Sequence, residues 1–150
     1  MGRTSDGRRP GDFAFALAVM KALAASRGHL EPALEIDGLG RAAFAFVANG
    51  SPYTYAKGIP LPILPEAEFE LGLDLVAPRV VSPASIPRLV SYALRGHGQA
   101  TAGDVLYAHD VDRIELVCDH PLPLQVDGED LGDVTSALFE AEREAVLVLN

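Results

Sequence analysis

Residues 112–118 have the sequence DRIELVC, and residues 122–129 have the sequence LPLQVDGE. In both stretches apolar residues recur at alternate positions, which is typical of a β-strand with one buried face. The second stretch ends at Asp127-Gly128, a dipeptide that commonly forms the turn of a β-hairpin. Together they predict strands of a mainly β domain, with a turn at Asp127-Gly128.

The same kind of pattern recurs along the rest of the chain. Alternating or continuous apolar runs predict further short strands at residues 33–37, 41–48, 53–55, 71–76, 80–81, 103–109 and 145–149. The segment 41–48 (RAAFAFVA) is nearly all apolar, so we expect one strand buried on both faces. Three prolines at alternate positions of residues 59–65 indicate an extended segment without a full hydrogen-bond ladder. The count is roughly eight to ten short strands.

Two segments predict helices instead. Apolar residues at three- and four-residue spacing indicate an amphipathic helix over Asp12–Arg27, with Gly28 as its stop. A second helix is expected over Ser85–Arg95, with a proline in its first turn and Gly96 at its end.

The composition agrees with a single domain rich in strands. The chain has 150 residues, 14 glycines and 11 prolines, and 49% of its residues are apolar. Residues 1–11 are polar and rich in Gly and Arg, so we interpret them as a flexible lead-in or linker remnant. Residues 12–150 are expected to form an α+β, mainly β domain. Its architecture is predicted to be an antiparallel β-sandwich or flattened barrel with an N-terminal helix and one further helix.

Charge and cysteine content exclude several functions. The chain carries 12 basic and 21 acidic residues, a net charge of −9, which argues against a nucleic-acid partner held by phosphate contacts. One cysteine, Cys118, excludes an internal disulfide and a cysteine-based zinc site. The apolar run Phe13–Met20 follows basic residues but is short for a signal peptide and is bounded by Asp12 and Lys21. We therefore expect a cytoplasmic protein with at most peripheral membrane contact.

The sharpest candidate site lies at the end of the second opening stretch. Asp127 and Glu129 flank Gly128, and a carboxylate at a strand end can act as a general base or hold a metal. The alternative is an ordinary hairpin turn without chemistry.

A second pair of acids flanks another glycine. Glu70 and Asp74 lie on either side of Gly72, in a loop able to hold a hard cation through a carboxylate and backbone carbonyls. The alternative is a strand start with solvated acids. The four histidines show no metal-ligand spacing, and one beside an aspartate, such as His109, is more often a surface residue. No glycine-rich phosphate loop or nucleophile elbow is present.

Several segments, taken in order, resemble one known family. They are FAFVANG at 44–50, PYTYAKG at 52–58, PEAEFELGLDL at 65–75, a helix ending LRGHG at 94–98, PLQVDGEDLG at 123–132 and EAVLVL at 144–149. This ordered set resembles the C-terminal domain of the diacylglycerol kinase and sphingosine kinase family, in its bacterial lipid-kinase branch. The resemblance runs from about residue 12 to the end.

The resemblance implies a fold for this domain and a separate role for each of two domains. In that family an N-terminal α/β domain binds ATP through a Gly-Gly-Asp-Gly-Thr type loop, and the C-terminal domain is a β-sandwich. The lipid lies in the cleft between the two domains. By resemblance Glu129 is the proton acceptor from the lipid hydroxyl. Asp127 and Gly128 complete the Asp-Gly-Glu motif and face the nucleotide.

The resemblance also implies a magnesium site. The family loop usually contains Asp-Gly-Leu-Leu-Asp, whose first aspartate and nearby backbone carbonyls bind the ion. Here Glu70 takes the place of that aspartate when the following strand is aligned, and Leu73 would supply a carbonyl. Alignment on Gly72 instead puts Leu71 at that position and removes the side-chain ligand.

The resemblance implies that the chain is one of the two domains that the active enzyme requires. The expected protein is the acceptor-side domain of an ATP-dependent lipid kinase that phosphorylates a lipid alcohol such as diacylglycerol or a sphingoid base, using ATP and Mg²⁺. No Gly-Gly-Asp-Gly-Thr stretch occurs in the chain, so we expect it to be inactive without an N-terminal ATP-binding domain or partner subunit. Self-association is a further expectation. The alternative is a non-catalytic β-sandwich module that binds lipid or protein.

Overall fold

The computed structural model describes residues 24–49, 54–56, 59–61, 64–68, 70–126 and 129–141. In chain order its elements are β1 (Leu34–Ile36), β2 (Gly40–Ala42), β3 (Phe46–Ala48), β4 (Thr54–Ala56), β5 (Ile59–Leu61), β6 (Leu73–Pro78), α1 (Ile86–Arg95), β7 (Val105–Val111), β8 (Arg113–Val126) and β9 (Glu129–Glu140).

The strands form two main antiparallel sheets. One sheet has four strands in the order β2-β1-β8-β9, and the other has three in the order β3-β6-β7. Strands β4 and β5 form a separate antiparallel pair. The predicted mainly β, antiparallel fold is therefore confirmed, and the described sheets do not close into a barrel.

The main core lies between the two sheets. Ile36 and Leu116 of the four-stranded sheet are buried in one apolar cluster with Leu75 and Leu106 of the three-stranded sheet. Ile36 and Leu75 are at most 1% exposed. Burial of side chains from both sheets in one cluster makes the domain a β-sandwich.

The prediction of a single strand over residues 41–48 is wrong. The chain leaves the four-stranded sheet after Ala42 and enters the three-stranded sheet at Phe46, so the apolar run supplies β2 and β3. The Ala43 amide donates to the Pro78 carbonyl at 2.8 Å, at the crossing between the sheets. The run is apolar because it crosses from one sheet to the other beside the core, not because one strand is covered on both faces.

Strands β8 and β9 form a long antiparallel ribbon. Strand β9 is not among the predicted strands, although a hairpin turn at Asp127-Gly128 requires a strand after it. Strand β1 pairs with β8 at Leu116–Cys118, and the Asp119 N–H donates to the Ala33 carbonyl just beyond, so the ribbon from His120 onward is paired only with itself in the described structure. Its register shifts between Val117 and Leu122 and again near Pro123. We call residues 122–126 and 129–134 the distal ribbon.

The helix predicted near residues 85–95 is confirmed. It spans Ile86–Arg95 and ends at Gly96, whose φ of 71° is left-handed and whose N–H donates to the Tyr92 carbonyl. Leu89 and Tyr92 pack on a second apolar cluster that includes Leu64, on the other face of the three-stranded sheet.

Only the end of the predicted N-terminal helix falls within the described residues. Ala24 and Ala25 are helical, and the chain then turns at Gly28, whose φ is 80°. Residues 1–23 and the predicted closing strand at 145–149 lie outside the described part. Among the described residues, no helix is both long enough and apolar enough to cross a membrane.

Candidate functional site

The Asp-Gly-Glu motif belongs to the far end of the ribbon. Glu129 is the first residue of β9 and its Cα pairs with that of Val126, the last residue of β8. Asp127 and Gly128 lie outside the described residues. The pairing on either side of them fits both a simple hairpin and a hairpin that presents a functional carboxylate.

The two predicted metal ligands lie on the other sheet. Glu70 is exposed in a turn, and Leu73 is 9% exposed where β6 begins opposite Val111. Within the described ranges, no three His, Cys, Asp or Glu side chains are placed to hold a metal ion. Magnesium at Glu70 and Leu73 therefore remains a prediction from the resemblance.

An apolar groove of about 510 Å³ lies along the ribbon. Its walls come from residues 29–34, from the crossing segment 43–47, and from both ribbon strands. The apolar residues that line it include Leu34, Val47, Leu122, Leu124 and Phe139. Its size falls within the range of small-molecule sites, roughly 300–1,000 Å³, and its apolar lining suits a hydrocarbon ligand.

Among the residues that the structure describes, few polar side chains line this groove, namely His29, Glu31, Cys118 and His120. Burial raises the pKa of the Cys118 thiol, and the nearby Asp119 carboxylate adds to that shift. A thiol with a raised pKa stays neutral at physiological pH and behaves as apolar surface, so the wall at Cys118 is compatible with a hydrocarbon ligand.

A polar cluster lies on the face of the three-stranded sheet that points away from the main core. Asp74 is fully buried, and its two carboxylate oxygens lie 2.9 and 2.8 Å from His109 Nδ1. Because a carboxylate only accepts, the imidazole donates. Strand pairing is irregular here, since Leu73 opposes Val111 and Leu75 opposes Ala108. Two residues of β7 therefore face one of β6, as in a β-bulge.

The bulge is held by further hydrogen bonds. The Asp110 N–H donates to Asp74 at 3.0 Å, and the Gly72 N–H donates to the Asp110 carboxylate at 2.7 Å. Asp110 has a φ of 54°, a conformation that non-glycine residues seldom adopt. The buried carboxylate and these bonds stabilise a turn of the backbone that would otherwise be strained.

Two more groups complete this cluster. His109 Nε2 lies 3.6 Å from the Glu66 carboxylate, so the imidazole stands between two acids. Its pKa is raised, first by the hydrogen bond to Asp74 and then by the nearby carboxylates, including Asp110. Burial raises the pKa of Tyr107 to about 12, with smaller contributions from Glu66 and Asp74. The cluster thus favours a protonated His109 that ties the segment 64–68 to the sheet.

Sequence reasoning missed this cluster. The alternative of solvated acids is wrong for Asp74, which is 0% exposed. His109 lies at the surface as expected, but it also hydrogen-bonds this buried carboxylate. The only available signal was an aspartate inside the apolar run of β6, because a charge in such a position requires a partner.

No protein-family model matches the sequence, and no curated protein matches it.

Proposed function

We propose that this chain is the acceptor-side domain of an ATP-dependent lipid kinase in the cytoplasm. It binds a lipid alcohol, such as diacylglycerol or a sphingoid base, and supplies the carboxylate that accepts the proton of the lipid hydroxyl. A second domain or subunit supplies the ATP site.

The observation that carries the proposal is the position of the groove relative to the motif. The groove extends along the ribbon to Leu124, and Val126 pairs with Glu129 two residues further. At about 3.3 Å per strand residue, this step is about 7 Å along the ribbon. A lipid that lies in the groove with its hydroxyl toward the turn would therefore bring that hydroxyl near the start of β9.

The residue roles follow from this placement. Glu129 would act as general base toward the hydroxyl, which requires a carboxylate within hydrogen-bond reach of it. Asp127 and Gly128 would face the nucleotide brought by the partner domain. ATP and its phosphate cradle belong to that partner, because phosphoryl transfer depends on positioning and charge neutralisation of the phosphates.

The described loop fits a magnesium ion poorly. One exposed carboxylate, that of Glu70, and one carbonyl, that of Leu73, form a smaller oxygen set than hard cations usually have. The residue roles proposed above therefore do not depend on a metal ion in this loop.

Binding of a diacylglycerol with a fluorescent acyl chain to the purified chain tests the lipid part. We expect saturable binding that Leu124→Gln weakens at least about fivefold, since the variant places an amide in the apolar groove. The matched control is Leu138→Gln on the same ribbon, because Leu138 is 50% exposed and lies outside the groove lining. Absence of saturable binding, or equal loss in both variants, would contradict the proposal.

A second candidate is a lipid-binding module without catalysis. The departure of Glu70–Asp74 from the Asp-Gly-Leu-Leu-Asp pattern favours it, while the groove is common to both candidates. Lipid binding without phosphoryl transfer in the presence of any ATP-binding partner domain would favour this module.

A further inference from the structure

The net charge of the chain is concentrated in the ribbon. Residues 114–142 contain eight acidic residues and no lysine or arginine, whereas the rest of the chain contains 13 acidic and 12 basic residues. No other stretch between two basic residues contains more than four acids. Strand β9 alone has four acids and no base. The ribbon is therefore the strongly negative part of the chain, and the remainder is close to neutral.

The ion pairs that the structure describes for this ribbon lie outside its distal part. Arg41 forms an ion pair with Asp119, and Arg113 forms one with Glu140. Asp133 is exposed in the distal ribbon and forms no ion pair with the bases of the described residues. The charge at Asp133 is therefore available to a partner.

Strand β9 also has one edge that no described strand covers. It is the last strand of the four-stranded sheet, and β8 is its only neighbour among the described strands. The N–H of Ala141, which follows β9, donates to the Asp112 carbonyl beside β8. Because successive residues of a strand point their N–H and C=O groups to opposite edges, those of Ser136, Leu138 and Glu140 point away from β8. We call these three exposed residues the free edge.

We propose that the free edge binds an extended segment of a partner protein, which carries lysine or arginine at alternate positions and adds to the sheet as a further strand beside β9. An uncovered strand edge is a template for another strand, and main-chain hydrogen bonds then supply affinity. Basic side chains of the added strand meet the acids of β9, including Asp133, and its aliphatic side chains lie beside Leu138, which is 50% exposed. The free edge does not line the groove, so the inference does not depend on the proposed kinase function.

Charge and composition favour this partner over the other possible occupants of the edge. A second copy of the chain would place like charges opposite one another along β9, which destabilises a strand pair. Residues 142–150 contain two acids and one base, so they offer no net positive charge. Residues 1–11 are basic, but their three glycines and one proline disfavour a strand. The occupant that satisfies both the charge and the backbone groups is a basic strand of another protein.

Fluorescence anisotropy of labelled peptides mixed with the full chain tests this strand addition. A peptide of alternating lysine and valine, about eight residues long, should bind saturably, and more weakly when salt is raised from about 0.1 M to 1 M. A peptide of alternating glutamate and valine should not bind. A third peptide keeps the lysines and valines but has every backbone nitrogen methylated. It should bind at least about tenfold more weakly, because it keeps the charge and loses its main-chain donors.

Two charge variants of the chain test the acids of β9. Asp130→Asn/Asp133→Asn should weaken binding of the lysine peptide about fivefold, since two attractive charges are lost. The matched control is Asp37→Asn/Glu68→Gln, which removes two exposed acids outside the ribbon and should leave the affinity within about twofold of wild type.

A third variant tests the backbone groups of the free edge. Ser136→Pro removes one N–H of this edge and should weaken binding at least about fivefold, whereas Ser136→Ala should not. Unchanged thermal melting would show that each variant still folds, and the methylated peptide tests the same bonds if Ser136→Pro does not fold. The inference would be overturned by absence of saturable binding of the lysine peptide, by equal binding of the methylated peptide, or by equal loss in Asp37→Asn/Glu68→Gln.

Discussion

Strand β6 and the distal ribbon represent two extremes of packing in this domain. All six residues of β6 are buried, and the strand pairs with β3 on one side and β7 on the other. The described residues of the distal ribbon pair only with each other, and none of the side chains described there is fully buried. Strand β6 is therefore buried on both faces and paired at both edges, whereas the distal ribbon borders the open groove.

The difference separates stability from binding. A two-stranded ribbon alone is at best marginally stable in water, so the free energy of folding comes mainly from the sandwich core. Residues of the distal ribbon contribute less to folding, so they can be used for ligand binding.

Truncation of the core should cost far more than truncation of the ribbon. Leu75→Ala removes a side chain that is 0% exposed and should lower the free energy of unfolding by about 3 to 4 kcal/mol. Leu124→Ala should lower it by about 1 kcal/mol or less, because this side chain is only half-buried. Urea denaturation of both variants measures the difference. Equal losses would show that the ribbon is part of the core.

Removal of the buried carboxylate should come next. Asp74→Ala leaves the His109 imidazole and the Asp110 amide without their acceptor, and should cost about 2 to 3 kcal/mol of unfolding free energy. Asp133→Ala, at an exposed position of the distal ribbon, should stay within about 0.5 kcal/mol of wild type. A neutral Asp74→Ala variant in the same denaturation assay would show that the polar cluster contributes nothing.

The polar cluster should also make stability depend on pH. Because Asp74 and Glu66 raise the pKa of folded His109 above its unfolded value near 6.5, its contribution is complete below about pH 6.5. That contribution is lost as pH rises through the raised pKa. The urea concentration at the midpoint of unfolding should therefore fall less between pH 6 and pH 9 in the His109→Gln variant than in the wild-type protein.

His120→Gln is the control for this pH dependence. His120 lies on the ribbon and lines the groove, away from the polar cluster. Its variant should keep the wild-type fall in the urea midpoint. If both histidine variants gave the wild-type profile, the pH dependence would not come from the cluster.

The smallest effect concerns local opening. Amides of the distal ribbon should exchange with deuterium faster than those of β6, because fewer contacts oppose their opening. Added diacylglycerol should slow exchange at Leu122, Leu124 and Val134 more than in β6, since these residues line the groove. Exchange measured by mass spectrometry would contradict the contrast if the two regions were equally protected without lipid.

Local signals allowed the predictions that are confirmed. Helix α1 was predictable because a proline in its first turn and Gly96 at its end are read from neighbouring residues. Asp37-Gly38, in the turn after β1, is a local signal of the same kind, and Gly38 has a φ of 76°. Strand β9 was missed because polar residues and Gly132, with a φ of 81°, interrupt its alternation.

The features that were not predictable depend on contacts between distant residues. The division of residues 41–48 between two sheets is decided by where each half finds a partner strand. Asp74 and His109 are separated by 35 residues and meet because a bulge in β7 turns the histidine toward β6. The groove is also tertiary, since its walls come from three separate parts of the chain.

The most direct test of the proposed function is phosphoryl transfer by a reassembled enzyme. The chain would be mixed with an ATP-binding domain that carries a Gly-Gly-Asp-Gly-Thr loop, together with Mg²⁺, radiolabelled ATP and diacylglycerol. We predict labelled phospholipid with the wild-type chain, and a loss of at least about 100-fold with Glu129→Gln, the scale of a missing general base. Binding of ATP by the mixture should be unchanged. Undiminished labelling by Glu129→Gln would contradict its role as the base, and no labelling in any such mixture would contradict the kinase assignment itself.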